Sequence, residues 1–239
     1  MPAQTSALRT VRRWTGALAV ATLAVAAAPT WAQSEQKDLV NAAETTFSNL
    51  MRDPDMTWLQ SNIGRAKGVL IAPSVVKAGW IFGGSGGRAV LFAKDDRTGR
   101  WSGPAFYNLG AASVGFQAGV AVTETVALVM TEKGLNSLLA SSAKLGADIS
   151  VAAGPVGAGT ASAIASDLVA YSRSKGVYGG FNLEGSVIAV ADNWNRDYYG
   201  TGVLPTDILV RANVHNPQAD RLVAELRRAA SGTKTSSAR

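Results

Sequence analysis

Glycine recurs inside the apolar, β-branched runs of this chain, and that placement limits the possible folds more than any other feature. The run GVLIAPSVVKAGWIF (68–82) leads into GGSGG at 83–87 and then RAVLFAK. Residues 105–118 and 120–130 have strand composition, with Gly110, Gly115 and Gly119 interrupting their apolar residues. Glycine weakens a strand but permits bulges and sharp bends. With 25 glycines in 239 residues, a flat, regular sheet is disfavoured and a sheet that coils on itself is favoured.

The other elements follow from periodicity. Residues 37–52 carry Leu39, Ala43, Phe47, Leu50 and Met51 at helical spacing, with Lys37, Asp38, Glu44 and Arg52 off that stripe. Asp53-Pro54 reads as an N-cap with proline at the first helical position, opening a short helix through Trp58 and Leu59. Pro73 splits the first β-rich run into two expected strands. GGSGG reads as a turn or mobile loop, and DDRTG (95–99) as a hairpin turn. A helix is expected from Thr131 to Ala140. Strands are expected at ADISVAA, DLVAYSRS, VYGGFN and EGSVIAVA, and a flexible loop at 154–163. Asp192 opens a short helix that Gly200 stops. Asn216-Pro217 opens a final helix whose stripe is Ala219, Leu222, Val223, Leu226 and Ala230, with Gly232 expected to end it and a disordered tail over 232–239. No fixed repeat and no strand–helix alternation occurs. The reading is α+β: an antiparallel, barrel-like sheet with a few helices packed on its surface.

Arg9, Arg12 and Arg13 precede the apolar run GALAVATLAVAAA. This is the pattern of a secretory signal, with cleavage expected after Ala32 or, alternatively, after Ala28. The expected organisation is a signal peptide over 1–32 and one domain over 33–231, exported to a periplasm or secreted. Those three arginines are half of the net charge of +6, so the mature chain carries about +3. Much of that excess lies in the last helix and tail, which argues against a nucleic-acid partner.

With no cysteine and one histidine, the chain has no disulfide framework, thiol nucleophile or multi-histidine metal site. GGSGG satisfies G-x-S-x-G, with Ser85 as nucleophile and His215 as a base, but that elbow needs a helix after the serine and a strand-like run follows. SRSK (172–175) lacks the partner motifs of penicillin-binding enzymes. Asp95-Asp96 fits turn chemistry better than a cation site. No metal or cofactor is expected, and the chain reads as a non-enzyme.

The binding candidates are basic residues at strand ends and loop edges: Lys67, Lys77, Arg88, Arg173 and Lys175. Gathered near the Gly-rich segments, they would attract anionic head groups. The first helix has two uses, packing on the barrel or lying on a membrane, where Lys37, Phe47, Leu50, Met51 and Arg52 would make contact.

Several stretches, taken in order, resemble the SYLF-domain family of lipid-binding proteins, whose yeast members are also described as actin-binding. They are AKGVLIAPSVVKAGWIFGGSGGRAVLF, WSGPAFYNLGAASVGFQAG, LGADISVAAGPVGAG, YSRSKGVYGGFNLEGSVI and the Asn-rich segment to Gly200, spanning about residues 60–210. GGSGGR and GPVGAG look like the bacterial branch. The resemblance implies a β-barrel core with surface helices and two mobile loops, which map to 83–87 and 154–163. It implies non-catalytic binding of phosphoinositides or other anionic phospholipids, with Gly83, Gly84, Ser85, Gly86, Gly87 and the basic residues as lipid contacts. It also implies an N-terminal amphipathic helix, a place that residues 37–52 occupy. The expected partner is an anionic membrane surface at a bacterial envelope. The alternatives are an envelope protein partner and, more remotely, a hydrolase using Ser85 and His215.

Overall fold

The computed structural model describes residues 30–79, 82–114, 119–155, 165–174, 177–179 and 185–236. Helix α1 spans Thr30–Arg52, and α2 is Thr57–Asn62. The strands follow: β1 (Gly68–Gly79), β2 (Phe82–Lys94), β3 (Trp101–Val114) and β4 (Gly119–Val129). Then come α3 (Glu132–Leu139), β5 (Ser142–Lys144), β6 (Val151–Ala153), β7 (Leu168–Ser174), β8 (Val177–Gly179) and β9 (Val187–Val190). The chain ends with α4 (Asp192–Tyr199), α5 (Pro205–Leu209) and α6 (Asp220–Ser236).

The strands form one sheet in the order β5-β9-β3-β2-β1-β4-β7-β6, with β8 added to β7. Pairing is antiparallel except between β6 and β7. The fold is therefore α+β, with the sheet curled into a half-barrel. Its outermost strands, β5 and β6, are consecutive in the chain, and the short link between them carries a bridge from Leu145 to Ile149. A long strand order thus returns its two ends to one place.

Side-chain size matches this curl. Alternate residues of each strand point to opposite faces. One face carries large side chains (Ile71, Phe92, Phe106, Leu128, Tyr171) that pack against α1, α2, α4 and α6. The other carries Ala72, Ala89, Ala93, Ala105, Ala127 and Ala170 among larger residues, and meets α3 and α5. The inner face of a curled sheet has less room per residue, and alternating small with large side chains fills it.

Helix α1 takes the packed option. Val40, Ala43, Phe47 and Leu50 are buried in the outer core. The helix is described from Thr30, seven residues before the span expected at 37–52, so Ala32 lies within it. Polar ties fix it to the last helix and the turn before it: Ser48 Oγ donates to Glu225 at 2.5 Å, Arg221 pairs with Glu44 at 3.1 Å, and Gln218 Nε2, in that turn, donates to the Lys37 carbonyl at 3.0 Å.

Four expectations are corrected. GGSGG is neither turn nor loop: residues 83–87 lie inside β2 and pair with Val75–Gly79 on β1 and Leu109–Ser113 on β3. Gly87 is there because the backbone of β1 passes close, and a Cβ on it would stand 2.5 Å from the Ser74 carbonyl oxygen. Pro73 does not divide β1 into two strands. The register shifts between Ile71 and Ser74 instead, a bulge that accommodates a residue with no N–H for the ladder. The strand expected at ADISVAA is confined to Val151–Ala153, because Ala147 and Asp148 N–H groups donate to the Lys144 carbonyl in a turn. Gly232 does not end α6, which runs to Ser236; an exposed interior glycine costs about 1 kcal/mol relative to alanine and is tolerated. The expected signal segment up to residue 29, Lys175 and residues 156–163 of the expected second loop lie outside the described residues.

Candidate functional site

The helices cover only half of the sheet's outer face. Along β1, Val69 and Ile71 are buried there, whereas Ser74 and Val76 are exposed. The border between the two halves is a polar row running across five strands. Arg173 on β7 faces Glu124 on β4, and Ser74 on β1 faces Arg88 on β2, which faces Asn108 on β3. Arg173 Nη2 donates to Glu124 at 2.5 Å. The Arg88 guanidinium lies 3.9 Å from the centre of the Trp194 ring, which α4 supplies. Both guanidinium groups are thereby held in place at the rim of the bare half.

Beyond that row the outer face of β1–β4 carries no charged residue among the described side chains; Lys144 on β5, in register with Val187 and through it with Gly110, is a cation at the side of that face. Val76, Val122 and Val120 are 44%, 53% and 71% exposed. Strand periodicity puts them on one face with Ala78, Gly84, Gly86, Gly110 and Ala112, on neighbouring strands in register. The surface is apolar and nearly flat. These valines were not among the expected contacts, although GVAVTE shows them: Val120, Val122 and Glu124 alternate on one face of β4, which changes there from apolar to charged.

The structure gathers most of the basic candidates in this half, and separates one. Lys77 pairs in register with Ser85 and projects from the inner face, where burial lowers the pKa of its ammonium group. Gly83–Gly87, Arg88 and Arg173 lie in the same half of the sheet. Lys67 does not. It sits at the opposite end, paired with Asp96 and, at 3.1 Å, with Glu132. Among the first-helix candidates, Phe47 and Leu50 are core residues, Met51 is partly buried against that core, and Lys37 and Arg52 are exposed.

Ser85 borders a small cleft on the inner face with Val75, Leu109, Thr125 and Ser186. Its volume of about 20 Å³ accommodates roughly one water molecule. Ser85 stands within a strand, and the helix a nucleophile elbow requires does not follow it. His215 is at the surface, 3.3 Å from Asp220. Asp95 is a turn residue: it accepts from the Arg97 and Thr98 N–H groups, and the Thr98 bond is the largest of the effects that lower its pKa. Among the described residues no three His, Asp or Glu side chains gather as a metal site, and no helix is long and apolar enough to cross a membrane.

None of the solved structures matches the chain. Residues 110–229 match the family model Ysc84, described as "Las17-binding protein actin regulator". Protein YSC84 of Saccharomyces cerevisiae is 34% identical over 166 residues, 66% of this chain and 35% of that protein. LAS seventeen-binding protein 3 of the same yeast is 34% identical over 143 residues, 57% of this chain and 31% of that protein. The SH3 domain-containing YSC84-like protein 1 of Bos taurus is 30% identical over 196 residues, 80% of this chain and 56% of that protein. The chain thus spans about a third of the yeast relatives and just over half of the bovine one. The family match covers the sheet from mid-β3 onward, and the bovine relative aligns over a longer stretch of 196 residues. This chain belongs to the Ysc84 family, the SYLF-domain proteins.

Proposed function

We propose that this protein is a non-catalytic module that binds anionic phospholipids, phosphoinositides or others, weakly and peripherally at a bacterial envelope. One observation carries the reading. The half of the sheet left bare by the helices holds Arg88 and Arg173 at the rim of an apolar outer surface, with Lys77 on the inner face of the same half. The basic, then apolar, N-terminal segment supports export. Each cation near an anionic surface contributes about 1 kcal/mol. Arg173 shares its charge with Glu124, so the three give about 2 kcal/mol, roughly a thirtyfold preference for anionic over neutral vesicles. The preference should shrink with added salt as the charges are screened.

Co-sedimentation of the protein with phosphatidylcholine vesicles, with and without phosphatidylglycerol or phosphoinositide, tests this. Equal retention on neutral and anionic vesicles at low salt would refute it. A second reading, an envelope protein partner, is favoured by the family description as a Las17-binding actin regulator. It predicts a specific crosslinked complex and no lipid preference.

A further inference from the structure

The proposed lipid binding leaves open which part of the molecule meets the bilayer. Taking that reading as its basis, we infer that the bare outer face of the sheet docks on the membrane as a β-sheet tip, with Val76, Val120 and Val122 entering the interface. Helix α1 stays docked on the protein throughout.

The outer face is layered as a bilayer surface requires. From the apex inward, the described side chains on β1, β2, β3 and β4 are Val, Ala and Gly, then the row that contains Arg173, Glu124, Ser74, Arg88 and Asn108. Among the described side chains of β1–β4 the apex has no charge to desolvate. The row has two cations and one acid, at the level that head-group phosphates would occupy. On β2, Gly84 is four residues from Arg88, about 13 Å along the strand. That exceeds the roughly 5–10 Å that interfacial elements penetrate, so the valine end enters and the row stays at the head groups. The charge pattern complements an anionic surface, because the row's net charge is positive and both guanidinium groups are held in place, one by Trp194 and one by Glu124.

The texture of the face also favours a bilayer over a folded protein. Protein interfaces concentrate affinity in bulky anchors that fill pockets. Gly84, Gly86, Gly110 and Ala112 offer neither anchors nor pockets. A fluid surface conforms to such a face without them.

Helix α1 is poorly placed for the same task. Its apolar stripe is already used, with Phe47 and Leu50 at 1% and 2% exposure. Its release would break the ties to Glu225, Arg221 and Gln218 and uncover the outer core of the sheet.

The natural chain has no cysteine, so single labels are straightforward. V122C carrying an environment-sensitive fluorophore is mixed with phosphatidylcholine vesicles containing phosphatidylglycerol. The expected result is a blue shift, together with about tenfold or greater loss of binding in the V76T/V120T/V122T variant, which keeps β-branched shape and removes apolar surface. Circular dichroism of that variant checks that it is folded. In a separate S48C/E225C protein, a short bis-maleimide crosslink holds α1 to α6, and vesicle binding is expected to be unchanged. An unshifted label with a triple variant that binds like the parent overturns the inference, as does loss of binding on crosslinking; both leave the lipid reading intact. A parent protein that binds no vesicle defeats the lipid reading and this inference with it. A label that shifts only with an envelope protein fraction, and not with vesicles, identifies a protein-docking face and also overturns it.

Discussion

Asp167 fastens the end of the barrel opposite the bare face, and Asp167→Asn tests how much that fastening contributes. The carboxylate is only 8% exposed. It accepts from Thr131 Oγ1 at 2.5 Å, Ser150 Oγ at 2.8 Å, Ser150 N at 3.0 Å and Lys133 Nζ at 3.2 Å. Thr131 caps α3, Ser150 precedes β6, and Asp167 itself precedes β7, so one side chain joins three elements. Burial alone would raise its pKa. The hydrogen bonds from Thr131, the Ser150 N–H and hydroxyl, and Lys133 outweigh burial and hold the carboxyl well below the usual carboxylate range. Asparagine keeps the shape and loses the charge. Hydrogen bonds to a charged group contribute about 1.5–3 kcal/mol, against about 0.5–1.5 kcal/mol for neutral pairs. Over the three bonds from Thr131 and Ser150 the loss is about 3 kcal/mol; the bond from the largely exposed Lys133 adds little. For a chain of this size that lowers the melting temperature by roughly 6–12 °C. The pH dependence has a fixed sign. Because the folded pKa is depressed, the stabilisation is fully present above the unfolded value, about 3.9, and is lost as pH falls from there through the folded value. Urea unfolding at pH 7, 5 and 3 should show a constant gap between parent and variant at the first two and a smaller gap at pH 3. A gap under about 0.5 kcal/mol at pH 7, or one that does not narrow in acid, would refute the reasoning.

Other consequences follow from close contacts. Gly154→Ala places a Cβ 2.1 Å from Cζ of the buried Tyr171 ring, so overpacking should cost about 2–3 kcal/mol or more in a thermal melt. Asn195, fully buried on α4, accepts from Phe106 N at 2.8 Å; Asn195→Ala strands that buried N–H and should cost about 1–3 kcal/mol by denaturant titration. Phe47→Ala should cost about 3–5 kcal/mol in the same assay, because Phe47 is core rather than membrane-facing. Amide hydrogen exchange should be faster at residues 75–78 than at 69–71 of the same strand, since only the latter lie under helices.

How much of this was legible in the sequence depended on whether the deciding force was local. The end of α4 was legible because Gly200, at φ +72°, supplies the left-handed cap that ends the helix; its start was less so, since Asp192, expected as the cap, is the first helical residue after Ala191. The α3 start was legible because the Thr131 side chain accepts from the Gly134 N–H, a bond made within one turn. GGSGG was misread because its conformation is set by neighbours: β1 and β3 flank it on both sides, and the β1 bulge at Pro73 brings the Ser74 carbonyl close to Gly87. Pro73 looked like a terminator for the same reason, since the bulge that absorbs it needs partner strands. Lys67 was grouped with the other basic candidates because charge carries no topology. Its counter-ions, Asp96 and Glu132, come from a hairpin and a helix that only the fold brings to it. The valines of the bare face follow from period two, but their exposure depends on where the helices stop, which no local pattern encodes.

The two halves of the sheet carry opposite demands, and the same strands meet both. In the covered half, Ile71, Phe92, Phe106 and Leu128 sit between strand and helix, so burial of large side chains holds the layers together. In the bare half, outer-face positions on the same strands become Gly, Ala and Val, and almost nothing there is buried against a helix. What holds that half is the ladder beyond the bulge, where Ser74 to Gly79 on β1 pair continuously with Arg88 to Gly83 on β2. Small residues are what a ladder-held, single-layer sheet tolerates: they leave little apolar area that would drive aggregation and few side chains whose ordering must be offset. Glycine therefore has two distinct consequences in this chain. At Gly87 it admits a close backbone, which is a matter of fold. At Gly86 an added Cβ would meet nothing nearer than 3.9 Å, so the fold does not require glycine there, whereas at Gly84 it would stand a tight 3.3 Å from the Ala111 carbonyl oxygen. What Gly86 governs is the smoothness of the exposed face, which places it with the surface and not with the core.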